Sequence, residues 1–354
     1  MPELSSKIAA ANDIKTQVDA TLARLFEEHE RTAQATDSRY GRLWTTIREI
    51  GLAGGKRIRP YLTVVAYRGF GGMNPAIIEI AAAQELLHLS LLFHDDIMDH
   101  DYVRHGVPNI AGRYLEHYKG QPDVHHLADS AAILAGDLLL GLAYETVGNS
   151  EFAPEVRARA LRALGRAVHE VAGGQLLDME AAGLGGAAEE SLKIARLKTA
   201  SYSFVGPLVM GAILAGASDQ DLATLEVLGT ALGVGFQLAD DLIGLFGDAR
   251  EAGKPVISDL REGKSTYLIR QAFAMCSPAD RTWLESAWGR ADVTLADLEH
   301  ARQIVTQCGA RAATEAVLQQ QATLARDAVA VLNISTDAAT ALSQVIERAM
   351  WRRA

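Results

Sequence analysis

"NPAIIEIAAAQELLHLSLLFHDDIMD", residues 74–99, decides how the chain folds. Asn74 and Pro75 supply an N-cap and a first-turn proline, and no glycine or proline interrupts the run for roughly 25 residues. The apolar side chains leave no polar stripe, so the pattern predicts a helix buried on nearly all sides. It ends in charge. Residues 94–101 hold four aspartates and two histidines. On a helix Asp95 and Asp99 stand four apart and Asp96 and Asp99 three apart, with about 5–6 Å between neighbouring Cβ atoms. Carboxylates so crowded repel one another unless a cation sits among them. A solvated acidic helix end is the plain alternative, but a buried helix opening into an enclosed space favours a metal. Oxygen donors without a regular imidazole suit Mg²⁺, which keeps several waters and shares its other positions with substrate phosphates.

Working outward, the punctuation stays helical. Ser218-Asp219 and Ser277-Pro278 read as helix starts, and Gly54-Gly55 and Gly69 to Gly72 as stops. Alternating strand patterns are scarce, and no Asn-Gly or Asp-Gly turn joins two candidate strands. About ten to twelve helical stretches are expected in an all-α chain. With no linker rich in Pro, Ser or Gly, residues 1–354 are expected to form one domain, the first 35 or so as a peripheral helix. One feature recurs. Asp240-Asp241 closes a second apolar helix within GVGFQLADDLIGLFGD, and two such helices side by side could direct both pairs into one cavity.

Composition narrows the function. The chain is 49% hydrophobic, enough for a large core, and its formal charge of −10 argues against a nucleic-acid partner. Cys276 and Cys308 lack CxxC or Cys/His spacing and read as packing residues. The charged, amphipathic start has no apolar signal core, and no run reaches roughly 18 uninterrupted apolar residues, so a cytoplasmic protein without a membrane span is expected. An acidic protein can still bind an anion through a local basic cluster. "GGKRIRP" packs Lys56, Arg57 and Arg59 into a glycine-flanked turn suited to a diphosphate. His88 lies seven residues before Asp95, two turns earlier on the same face and about 10 Å away. Arg104, Lys198, Lys254 and Lys264 are further isolated cations.

In order, "GGKRIRP", "HLSLLFHDDIMDHDYVRHG", "GQLLDME", "KTASYSFVGP", "FQLADDLIGLFGD" and "GKPVISDLREGKST" resemble the motifs of trans-isoprenyl diphosphate synthases, also called polyprenyl synthetases. The resemblance covers roughly residues 50–270 through motifs and nearly the whole chain by helical pattern. It implies a single-domain helical bundle around one deep cavity, usually homodimeric. It also implies condensation of isopentenyl diphosphate with an allylic diphosphate. Carried over by position, Asp95 and Asp99 would ligate two Mg²⁺ ions with Asp96 in support, and Asp240, assisted by Asp241, would hold a third. Arg104, Lys198, Gln237 and Lys254 would bind the allylic diphosphate, with Thr199 and Lys264 beside them. Lys56, Arg59 and His88 match the isopentenyl diphosphate pocket.

The chain departs from the family pattern twice. His105 stands where a second arginine is usual, replacing a fixed charge by a group charged only at lower pH. Gly244 stands where a third aspartate is common; Asp248, four residues on, could compensate. Members that stop at farnesyl commonly carry aromatic rings at the positions held here by Ser90 and Leu91, so geranylgeranyl diphosphate is the expected product, with longer polyprenyl or farnesyl products as alternatives. A terpene cyclase normally has Asn and Ser/Thr donors in its second metal motif, absent from DDLIGLFGD. A metal-dependent phosphohydrolase needs more histidines at its metal. A regulatory subunit of a heteromeric synthase often loses its aspartate clusters, and this chain keeps the first intact and most of the second.

Overall fold

The structure is a computed structural model. It describes residues 2–104, 106–184, 187–247 and 257–351, and within these the side chains of 2–10, 182–184, 258 and 259 lie outside the description. The calls on His105, Asp248 and Lys254 fall outside the described residues. The chain is 81% helical with 15 helices, so the all-α expectation holds. The number exceeds ten to twelve because short helices such as Ser258–Glu262 and Ile110–His117 are too brief to show a period in sequence. The described residues also hold one unexpected pair of two-residue antiparallel strands, β1 (Val103–Arg104) and β2 (Val107–Pro108), directly after the first aspartate cluster.

Backbone contacts divide the chain into two compact units, residues 1–164 with 210–216, and 165–209 with 217–354. The first contains α1 (Pro2–Thr36), α2 (Ser38–Gly51), α3 (Ile58–Gly69), α4 (Ile77–Met98), α5 (Ile110–His117) and α6 (Val124–Gly148). It also holds the start of α7 (Pro154–Leu184). α4 packs against α1, α3 and α6, and Ile80, Leu86 and Leu87 are fully buried. The sequence run is thus a core helix, although its start differs from expectation. Asn74 accepts the Ala76 N–H through its side chain at 2.9 Å, making a local turn, and the helix itself begins at Ile77. From Ile14 on, α1 is not peripheral. Val18, Leu22 and Phe26 are fully buried, because their spacing of about one helical turn sets them on one face.

The second unit holds the rest of α7 and most of α8 (Ala188–Ala215). It continues through α9 (Asp219–Phe246), α10 (Ser258–Glu262), α11 (Tyr267–Met275), α12 (Pro278–Ala287), α13 (Leu295–Gln307), α14 (Ala310–Val331) and α15 (Thr336–Met350). The expected starts appear: Ser218 caps α9 and Ser277 caps α12 with Pro278 in its first turn. Cys276 and Cys308 are free and pack against a cluster containing Leu268, Leu284 and Ile304. One feature was not legible in sequence. The middle of α8, Ala195–Val205, is π-helical, its hydrogen bonds closing five residues apart instead of four.

The expectation that no segment has membrane-spanning character needs correction by length and composition. Ile77–Met98, Val124–Gly148, Ala188–Ala215 and Asp219–Phe246 are long and apolar enough, and 67%, 44%, 67% and 56% of their most apolar windows are buried inside the protein. A core helix and a membrane span draw on the same apolar residues, and in three of these four most of the apolar window is packed inside the protein.

Candidate active site

The first aspartate cluster sits where a helix already carries negative charge. The last turn of α4 has no basic residue, and the negative end of its helix dipole lies beside Asp95, Asp96 and Asp99. Asp99 is the C-cap, yet its N–H still reaches the Asp95 carbonyl at 2.9 Å. Asp95 and Asp99 therefore keep true one-turn spacing, the former half-buried and the latter exposed. Asp96 points elsewhere: it is 3% exposed. Arg104 donates to its Oδ1 through Nε at 2.8 Å and also lies 3.8 Å from Asp95 Oδ2. Burial pushes the Asp96 carboxyl up, and the Arg104 guanidinium pulls against that shift. The small β1–β2 turn thus has a purpose, since it folds Arg104 back onto the helix that precedes it.

The basic turn splits between two jobs. Lys56 is exposed and Arg59 half-buried, but Arg57 is 4% exposed and turned into the protein. Its Nε donates to Asp19 at 2.7 Å, one Nη to Glu85 at 2.7 Å and the other to the Gly51 carbonyl at 2.9 Å. Its backbone is left-handed, φ 48° and ψ 42°, a conformation that costs a non-glycine residue about 1–2 kcal/mol and is held here by those three bonds.

His88, on α4, is half-buried in a field of arginines. Burial first, then Arg59, Arg104 and Arg57, drive its pKa well below the usual histidine value. It is a neutral imidazole at pH 7, which leaves positive charge to its neighbours. Unfolded, the ring takes up a proton near pH 6.5, whereas the folded ring resists it. His88 therefore contributes stability above about pH 6.5 that is lost as pH falls through and below that value. Urea unfolding at pH 7.5 and 5.5 should show a smaller acid loss for His88→Gln than for the wild type; an equal loss would remove His88 from the cause. Ser90 is 1% exposed and Leu91 half-buried on the same helix.

In the second unit, α9 carries Asp240 exposed and Asp241 6% exposed. Asp241 accepts from the Gln237 amide at 3.0 Å, and the Gln237 carbonyl accepts from the Thr199 hydroxyl at 3.2 Å. This chain joins α9 to the π-helical segment and leaves Asp240 as the outward carboxylate. Lys198, next to Thr199, pairs with Asp178 at 2.6 Å. Asp178 lies in the quoted "GQLLDME", though the motif alone did not mark it as the lysine's partner. Lys264 is exposed and pairs with Glu262 at 2.9 Å. Sequence reasoning also missed Arg302. From α13 it donates to the Leu245 carbonyl at 2.6 Å and the Gly247 carbonyl at 3.1 Å, capping the end of the helix that bears Asp240.

The donor set fits a divalent cation of the Mg²⁺ type. Among the described residues no three His, Cys, Asp or Glu side chains form a cage. Mg²⁺ commonly uses only one or two carboxylates, the rest of its octahedron coming from water and phosphate.

A sequence model of the family described as polyprenyl synthetase matches residues 42–305. The chain belongs to that family. This polyprenyl synthetase is a transferase of the all-α isoprenoid synthase fold. It is 34% identical over 256 residues to a geranylgeranyl diphosphate synthase of Sulfolobus acidocaldarius, covering 72% of this chain and 73% of the relative. A short chain isoprenyl diphosphate synthase of Methanocaldococcus jannaschii is 34% identical over 290 residues, 81% of this chain and 82% of the relative. Among solved structures, a geranylgeranyl pyrophosphate synthase of Corynebacterium glutamicum, complexed with isoprenyl diphosphate and magnesium, superposes with TM-score 0.89 at 28% identity. That match covers 97% of this polyprenyl synthetase and 99% of the other chain.

Proposed function

We propose that this polyprenyl synthetase condenses isopentenyl diphosphate with an allylic diphosphate, head to tail and in trans geometry, to make geranylgeranyl diphosphate. The observation that carries the reading is the pair Asp95 and Asp99, one turn apart at a helix end without basic residues. Mg²⁺, three ions per active site through Asp95, Asp99 and Asp240, would supply the charge that stabilises the departing diphosphate.

The chain's own groups have the following roles. Arg104, Lys198, Gln237 and Lys254 bind the allylic diphosphate, and the Thr199–Gln237–Asp241 hydrogen bonds orient the Gln237 amide. Lys56 and Arg59 hold isopentenyl diphosphate by charge, with neutral His88 as a hydrogen-bonding partner. Rupture of the allylic C–O bond gives a delocalised cation, and apolar walls keep water from it. The double bond of isopentenyl diphosphate attacks that carbon, a C–C bond forms, and the departing diphosphate takes the proton lost from the adjacent carbon. Residues 1–354 act as one isoprenoid synthase domain in a cytoplasmic homodimer. The family match, which runs through both units, supports the single domain.

The test is direct. Pure protein with Mg²⁺, isopentenyl diphosphate and each allylic primer in turn should yield, after dephosphorylation, mainly the C20 alcohol; only diphosphate hydrolysis, or no product, overturns the reading. Neither Ser90 nor Leu91 is aromatic. Leu91→Phe should therefore shift the product one isoprene unit shorter, and an unchanged chromatogram would put the chain-length determinant elsewhere.

A further inference from the structure

We infer that the N-terminal helix sets the affinity for isopentenyl diphosphate by latching the basic turn, with Arg57 as a positioning residue rather than a substrate ligand. The inference rests on the assignment of Lys56 and Arg59 to that substrate. The turn Gly54 to Arg57 holds positive φ at three of its four residues, 124° at Gly54, 140° at Gly55 and 48° at Arg57. Two glycines adopt such angles freely, but an arginine does so only when its side chain is held. What holds it comes from three helices. Asp19 belongs to α1, the Gly51 carbonyl to the end of α2, and Glu85 to α4, one turn before His88.

α1 grips the turn a second time. Lys15, one helical turn before Asp19, donates from Nζ to the Gly55 carbonyl at 2.9 Å and lies 3.4 Å from Asp19. The two α1 residues thus fix the backbone on the near side of Lys56 and the guanidinium on its far side. Lys56, exposed between them, and Arg59, two residues on in the first turn of α3, take their positions from this frame. Glu85 fits the same picture. One of its carboxylate oxygens accepts from Arg57, and the other is buried with no hydrogen-bond partner among the described residues, so Arg57 is its neutralising contact. A latch built from Asp19 and Lys15 can be loosened at half-exposed positions without opening the core.

The experiment is steady-state kinetics on the full chain, varying each substrate separately, with thermal unfolding of every variant. Asp19→Asn and Lys15→Met should each raise KM for isopentenyl diphosphate about tenfold, with kcat and the KM for the allylic substrate within twofold of wild type. Asp19→Glu should restore most of the loss. Arg24→Ala, which removes a surface ion pair between α1 and Glu79 of α4 without touching the turn, should leave all three constants unchanged. If Asp19→Asn lowers the melting temperature but no KM, or raises both KM values together, the positioning role is overturned. A wild type that consumes isopentenyl diphosphate while Asp19→Asn matches it sinks this inference alone. A wild type that does not bind isopentenyl diphosphate sinks the functional reading and the inference with it.

Discussion

Asp95→Ala is expected to lower turnover about a thousandfold or more while leaving the helical circular dichroism unchanged. The magnitude follows from several kcal/mol of charge stabilisation on a leaving diphosphate, each 1.4 kcal/mol being about tenfold in rate. Stability should change little, because Asp95 is half-buried beside like charges at a helix terminus that disfavours anions, and its contact with Arg104, at 3.8 Å, is longer than the one Asp96 makes. Removing it relieves repulsion. Asp96→Ala should behave in the opposite way. Its carboxylate is buried against Arg104, so the loss leaves the guanidinium with the longer Asp95 contact in place of its short one and costs stability of about 1–3 kcal/mol. Parallel turnover and thermal unfolding measurements on the two variants separate the roles, and full activity in Asp95→Ala would remove the metal assignment.

The second large effect is expected at a glycine pair. Gly173 and Gly174 are neighbours on α7, yet a Cβ at Gly173 meets open space, whereas at Gly174 it would lie 2.4 Å from the Lys198 backbone nitrogen and 2.7 Å from the Leu197 carbonyl carbon. Backbone cannot rotate out of the way as a side chain can. Gly174→Ala should therefore cost about 1–3 kcal/mol of stability by overpacking and displace Lys198 from Asp178, lowering kcat/KM roughly a hundredfold. Gly173→Ala should be neutral or stabilising by up to about 1 kcal/mol, since alanine favours a helix. Equal effects in thermal unfolding and in kcat/KM would show that close approach to Lys198 is not what this position protects. The same tight packing recurs on α9, where a Cβ at Gly233 would fall 2.3 Å from the Ala200 Cα.

Much of this was legible in the chain itself. The unbroken apolar run into Asp95 specified a core helix, because periodicity and capping are local properties. The division of labour inside "GGKRIRP" was not legible. Lys56, Arg57 and Arg59 look equivalent as letters, and only the distant carboxylates of Asp19 and Glu85 single out Arg57. Lys198 is legible as an isolated cation, but its partner Asp178 is not, because nothing in spacing links positions on different helices. Arg302 was hidden for the same reason: its value lies in two carbonyls that only the folded helix end exposes. The β1–β2 pair escaped notice because two residues are too short to show alternation.

The widened winding of Ala195–Val205 restricts length more than chemistry. A π turn holds about one residue more than an α turn, so loss of one residue there can return the backbone to its ordinary pitch while the side chains beyond the segment stay near their present phase. The residues inside the wide turns are the ones displaced, and Thr199 would be carried off Gln237. A single-codon deletion here disturbs one neighbourhood, whereas the same deletion in an ordinary α-helix would turn everything after it by about 100°.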